Sequence, residues 1–276
     1  MAKIEEILAL EQIENDIFRG IATETLLPRT FGGQVAGQAL VSAVRTVDPR
    51  VRGAFAARLF PEAGQSDDAD RLSRRPDPRR PLVLYPSGDR GAGRQGDLHD
   101  VGVVPRGGGP GGIEHQDTMP RVPMPEDLPD PDLVDDQTVR WARIEWAEWE
   151  FRFVPPEQMD TSRRWAAQQQ VWFRSREALP DDPVFHVCTL AYMSDMTLLG
   201  SASVGHPDEK TQGASLDHAM WFMRPFRADD WLLYDQTSPP SAGFGRALTQ
   251  GRIFDRNGNM VAAVVQEGLT RYLRDS

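Results

Sequence analysis

From Ala214 onward the chain alternates apolar and polar residues in four runs: ASLDHAMWFMRPF, DDWLLYDQTS, GRALTQGRIF and GNMVAAVVQEGLTRYL. A period of two marks strands with one buried face. Between the last two runs, DRNG at Asp255 to Gly258 supplies residues that tolerate positive φ, and it predicts a tight hairpin. A meander of this kind is stable only if something packs on its apolar face. Two segments suit that task as buried helices: FGGQVAGQALVSAVRTV (Phe31 to Val47), through Val35, Ala39, Leu40 and Ala43, and LAYMSDMTLLGSA (Leu190 to Ala202). Strand-like aromatic segments, WEFRFVPPEQ and RRWAAQQQVWFRSR, precede the second. The fold class predicted is α+β. The Pro- and acid-rich PRVPMPEDLPDPDL (Pro120 to Leu133) reads as a linker, which divides the chain into residues 1–119, a linker 120–135, and residues 136–276.

The pattern fails between the first helix and the linker. From Pro61 to Gly111 there is no Ile, Thr, Met, Trp, Lys, Asn, Cys or Phe, and Gly, Pro, Arg and Asp dominate. A low-complexity linker is the simplest account. The missing residues, however, are largely those whose codons begin with A or T. Lysine occurs only at Lys3 and Lys210 against abundant arginine, which points to a GC-rich gene. A first codon base biased like a third base suggests a shifted reading frame over about 52–111. Read one base later with permitted codons, Pro76 to Ser87 gives RIRDGRSFSTRR, the residues following to Pro105 give VTAAQGGRAIFTMSASFH, and Leu59 to Gly64 gives YFLRPG. These peptides alternate like strands. The frame returns near GGGPGG (Gly107 to Gly112), where a run of guanines is easily miscounted. The shifted peptides follow the order of WFMRPF, GFGRALTQGRIF and GNMVAAVVQ in the second half, so each half becomes a buried helix followed by an antiparallel sheet. In the chain as it stands, residues from about Arg52 to Gly112 are expected to be irregular, because their composition buries too little apolar area to offset chain ordering.

Composition narrows the function. A chain of 276 residues with 39% hydrophobic content makes one large domain or two of ordinary size. There is no long apolar run to span a membrane, and the acidic, amphipathic start MAKIEEILALEQIEND lacks the features of a signal peptide, which places the protein in the cytoplasm. The lone Cys188 excludes an intrachain disulfide and a cysteine metal cluster, and is expected to be a buried structural thiol. A net charge of −10 argues against nucleic acid as a partner. His115, His186, His206 and His218 show no metal-ligand spacing, and His99 lies in the doubtful frame; no metal and no cofactor is predicted. GSASVG lacks the spacing of a nucleophile elbow, and neither FGGQVAG nor GGGPGG is followed by the Lys-Ser/Thr of a phosphate-binding loop.

Several motifs together resemble the acyl-CoA thioesterase II family over nearly the whole chain: LALEQIENDIFRG, FGGQVAGQAL, GIEHQDTMP, LAYMSD, SLDHAMWFMRPF and QEGLTR. The resemblance implies a tandem double hot-dog fold, two antiparallel sheets each wrapped on a central helix, usually assembled into a homo-oligomer. It also implies fatty acyl-CoA as substrate, hydrolysed to free fatty acid and CoA without a cofactor, as part of lipid metabolism. Such hydrolysis needs a water activated by a base and a donor facing the developing oxyanion. The family's Asp, Thr and Gln around that water fall on Asp195 in YMSDM, Ser215 in ASLDH and Gln266 in VVQEG. Ser215 departs from the usual Thr, keeping the hydroxyl and losing the methyl that restricts its rotamer.

The same residues have plainer readings. Asp195 beside Ser194 suits a helix cap, and Ser215 an ordinary hydroxyl at a strand start. Gln266 shares a strand face with Met260, Ala262 and Val264, so its amide is buried and needs partners. Asp217 and His218 are adjacent on a strand and point to opposite faces, so they form no dyad, and His218 reads as structural. If residues 52–111 are genuine, the alternative is a catalytically silent acyl-CoA-binding or assembly module. A hydratase of the same fold ranks third, because the second half lacks a clear His-Asp arrangement.

Overall fold

The computed structural model describes residues 2–27, 30–46, 113–131, 137–160, 162, 166–206, 209 and 211–272. The expected frame shift and irregularity at about 52–112 lie outside the described residues.

Helix α1 (Ile4–Leu8) buries Ile4, Ile7 and Leu8 and leads into a short hairpin of β1 (Glu11–Glu14) and β2 (Ile17–Arg19). The glycine-led segment forms α2 (Gly32–Thr46). Its buried face runs through Gly33, Ala36, Gly37, Ala39 and Leu40; of the expected stripe Ala39 and Leu40 are buried, while Val35 and Ala43 are only half buried, so the face is turned toward the glycines. Close approach sets the rotation. A Cβ on Gly33 would meet the Tyr192 carbonyl oxygen at 2.2 Å, and one on Gly37 the Cys188 carbonyl oxygen at 3.2 Å. Those carbonyls belong to α4 (Pro183–Met193), against which α2 packs through its glycines.

The second helix therefore begins earlier than LAYMSDMTLLGSA suggests. Pro183 occupies its first turn, and the Asp182 carboxylate accepts from Val184 N at 2.9 Å as its N-cap. Every residue from His186 to Met193 is buried, so no amphipathic period advertises the helix. It ends at Ser194, whose N–H bonds to the Leu190 carbonyl, and Asp195 follows immediately.

Helix α3 (Gln137–Glu145) precedes an antiparallel sheet of eight strands. These are β3 (Trp149–Phe153), β4 (Gln168–Ser175), β5 (Thr211–Ser215), β6 (Ala219–Phe222), β7 (Leu232–Thr237), β8 (Ser241–Ala242), β9 (Arg246–Asp255) and β10 (Met260–Tyr272). Their spatial order is β3-β4-β7-β9-β10-β5, with β6 also on β10 and β8 on β9. The aromatic segments and the four C-terminal runs all become strands, the first of the four split into β5 and β6. Asp255 Oδ1 accepts from Asn257 N and Asn259 N, and Gly258 takes φ 83°, closing the predicted hairpin.

Alternation sorts the sheet into two faces. Val171, Phe173, Leu232, Tyr234 and Ile253 pack around α4, while Trp172, Leu233 and Phe254 point away from it. That outer face is itself covered, because Leu128, Met119 and Val122 of the 113–131 segment pack on it and Trp172 Nε1 donates to the Pro123 carbonyl at 2.9 Å. Gln116 fastens the segment to the hairpin tip, donating to Gly258 O at 2.7 Å and accepting from Met260 N at 3.1 Å. A strand register shift between Met260 and Ala262 corrects one expectation. Ala262 and Val264 lie in the core around α4 on the face of Gln266, but the bulge sends Met260 to the outer face with Trp172 and Leu233.

Candidate active site

Asp195, Ser215 and Gln266 arrive from three elements. Asp195 stands two residues past the end of α4, just after its C-cap Ser194, Ser215 closes β5, and Gln266 lies midway along β10, where the Thr249 hydroxyl of β9 donates to its carbonyl at 3.1 Å. Asp195 cannot be the N-cap of α4, because it follows that helix. Its carboxylate is nearly buried, and its Oδ1 accepts from Gln266 Nε2 at 2.5 Å and from Ser215 Oγ at 3.2 Å. Gln266 is wholly buried, as its strand face predicts, and among the described residues its Oε1 has no hydrogen-bond partner. The three residues singled out from the sequence thus meet at one carboxylate oxygen.

The other oxygen, Oδ2, faces the start of α2. An ideal Cβ on Gly32 would lie 2.6 Å from Oδ2 and 3.9 Å from Ser215 Cβ. Aromatic rings fix this end of α2: Phe31 packs edge-on to Tyr192, with centroids 5.1 Å apart, and against Trp146 at 5.8 Å. The first backbone N–H groups of a helix have no partner within it, and they give that end partial positive charge. A carboxylate oxygen next to the first turn of α2 lies in that field. The glycine pair in FGGQVAG was the only sign of this contact in the sequence.

His218, read from the sequence as structural, lies against these residues. Between β5 and β6 the Asp217 carboxylate accepts from Glu267 N at 2.6 Å, while Leu216 N donates to Glu267 O at 2.9 Å. With the ladder interrupted there, His218 is turned inward and is 2% exposed. Its Nδ1 lies 3.2 Å from Gln266 Nε2 and 3.8 Å from Asp195 Oδ1, and its Nε2 lies 2.7 Å from Ser194 Oγ. Asp217 and His218 do face opposite ways, one exposed and the other buried, although the link that carries them belongs to neither strand.

Other reactive groups nearby are silent. Burial pushes the Cys188 thiol up to about 12, so it stays protonated at neutral pH and is no nucleophile. Burial, then the charge of Asp195, raises the Tyr234 hydroxyl well above its ordinary value, and that hydroxyl donates to the Ser194 carbonyl at 2.9 Å. Among the described residues no group of three His, Cys, Asp or Glu side chains could hold a metal ion, and no helix is long and apolar enough to cross a membrane.

A long antiparallel sheet wrapped on a buried central helix, with a second buried helix packed against the first, defines an α+β protein of the double hot-dog class. The acyl-CoA thioesterase family model matches residues 142–269, which contain Asp195, Ser215, His218 and Gln266. A crystal structure of an acyl-CoA thioesterase II, TesB2, from Mycobacterium marinum is 44% identical and superposes with a TM-score of 0.66, covering 99% of each chain. Acyl-coenzyme A thioesterase 8 of Homo sapiens is 32% identical over 96% of this chain and 88% of its own length. Acyl-CoA thioesterase 2 of Haemophilus influenzae is 31% identical over 96% of both. The chain belongs to the acyl-CoA thioesterase II family.

Proposed function

We propose that Asp195, Ser215 and Gln266 hold and activate the water that hydrolyses acyl-CoA thioesters in this enzyme. Family membership makes the chain an acyl-CoA thioesterase; the roles of the residues follow from geometry. The observation that carries them is the division of labour on Asp195. Two donors, Gln266 Nε2 and Ser215 Oγ, hold Oδ1, and Oδ2 is left as the oxygen that takes a proton from water. Gln266 Oε1, buried and without a partner among the described residues, is an acceptor for the water's second hydrogen. Ser215 supplies the hydroxyl for which the family resemblance implies a Thr.

As the hydroxyl attacks the thioester carbonyl, charge grows on the carbonyl oxygen. The first N–H groups of α2, at Gly32 and Gly33, are the donors we assign to it, since that helix end abuts Asp195. The thiolate of CoA then leaves, and the proton held by Asp195 neutralises it. The active site on this reading is shared by residues 1–119 and 136–276, taken as the two hot-dog units joined by 120–135. The same reading takes a fatty acid as the acyl group, a homo-oligomer as the assembly and the cytoplasm as the setting, each resting on the family resemblance.

Thiol release from palmitoyl-CoA tests the assignment. Asp195→Asn is expected to lower kcat by about 10²–10⁴-fold, the usual worth of a positioned base, while acyl-CoA binding persists. Unchanged kcat in that variant would remove Asp195 from the mechanism. Binding without turnover in the wild type would favour the silent acyl-CoA-binding module.

A further inference from the structure

We propose that His218 is a positioning residue for this centre: a neutral imidazole, protonated at Nε2, that holds the Gln266 amide with its nitrogen toward Asp195. The inference rests on the reading of Asp195, Ser215 and Gln266 as the hydrolytic centre.

We assign the tautomer by giving the Ser194 hydroxyl proton to a neighbour that can only accept. Ser194 Oγ has one proton, and it lies 2.9 Å from the Ala191 carbonyl and 3.2 Å from Met220 Sδ, two groups that can only accept. Once that proton is given to either, Ser194 Oγ must be the acceptor in its 2.7 Å contact with His218 Nε2. The imidazole proton is therefore on Nε2, and Nδ1 presents a lone pair. That lone pair meets Gln266 Nε2 at 3.2 Å, and Asp195 Oδ1 meets the same nitrogen at 2.5 Å. Both amide hydrogens are thereby used. Turned over, the amide would set its oxygen against a carboxylate oxygen and an imidazole lone pair, three acceptors together in a buried place. His218 thus selects one amide orientation, and with it the donor that holds Asp195 Oδ1 and leaves Oδ2 basic.

Two full-length variants separate this role from a packing role. In His218→Asn the new Oδ1 stands in place of Nδ1 and accepts from Gln266, but the bond to Ser194 is lost. In His218→Gln the side-chain amide reaches toward Ser194, but no acceptor remains for Gln266. We expect His218→Asn to keep kcat for palmitoyl-CoA within about threefold, and His218→Gln to lose about 10–100-fold in kcat with KM unchanged, as when a group that orients a reacting residue is removed. The reverse ranking overturns the proposal. Long-range ¹H–¹⁵N spectra of histidine-labelled wild type at neutral pH read the tautomer without any variant: Nε2–H supports the assignment, and Nδ1–H or an imidazolium overturns it. A wild type inert on all acyl-CoAs would instead overturn the hydrolytic reading beneath it.

Discussion

A methyl group on Gly32 would lie 2.6 Å from Oδ2 of Asp195. A flexible carboxylate could swing away from such a contact, but this one is held through Oδ1 by Gln266 and Ser215. Gly32→Ala is therefore expected to misplace the basic oxygen while leaving the fold intact. Displacements of this size at a reacting group cost about 100-fold in rate. The check is kcat for thiol release beside the melting temperature: a large loss in the first with little change in the second is the expected result.

The next glycines report on packing instead. At Gly33 a Cβ would meet a backbone oxygen, that of Tyr192, at 2.2 Å, and the Phe31 ring at 2.5 Å, so moving a side chain alone does not relieve the clash. Gly33→Ala must separate α2 from α4, at a cost of about 1–3 kcal/mol or more. At Gly37 the nearest atoms stand at 3.1 and 3.2 Å, so Gly37→Ala is expected to cost clearly less. Urea midpoints of the two variants, compared at equal m-value, give the ranking.

Acid sensitivity should begin at His186. Its Nδ1 accepts from Ala228 N at 3.1 Å, and burial holds the ring below its ordinary value of 6.5 against the opposing charge of Asp229. The unfolded chain then binds the proton more readily, so this contribution is complete above about pH 6.5 and is lost as pH falls through the depressed folded value. At Asp229 burial raises the carboxyl, but hydrogen bonds from Arg227 and Leu179 N outweigh it, and the net shift is downward. Its contribution persists to about pH 4 and is lost below. In His186→Asn, whose Oδ1 can still accept from Ala228 N, the upper part of the stability loss should vanish and the lower part remain. Denaturation midpoints from pH 7 to 3 check both.

Protein purified from its native host is expected to carry the shifted frame over about 52–111. A tryptic map between VRTVDPR and GIEHQDTMPR should then contain SFSTR. Recovery of RPLVLYPSGDR instead would show that the Gly-, Pro- and Arg-rich stretch is genuine.

Much of the second half could be read from its residues, because strands with distinct inner and outer faces alternate visibly. The helix α4 could not be placed the same way: a helix buried on every side has no period, and its true signal was the Asp182-Pro183 start. Asp195, Ser215 and Gln266 were legible through motifs, and the burial of Gln266 through strand parity. Parity fixed the relation of His218 to Asp217 but not which of them faced inward, since the bulge against Glu267 decides that. Gly32 was hidden for a different reason, because its contribution is the absence of a side chain. One bulge at Met260 was enough to turn a predicted core residue to the opposite face.

The seam between α2 and α4 sets the tolerance of the chemistry. On the proposed mechanism one helix of the pair carries the carbonyl-facing end and the other leads to the base, so any sliding of the two past each other changes the gap in which the thioester must fit. Melting curves and spectroscopic tests of folding would pass such a molecule as sound, and only turnover would reveal that its jaws no longer meet.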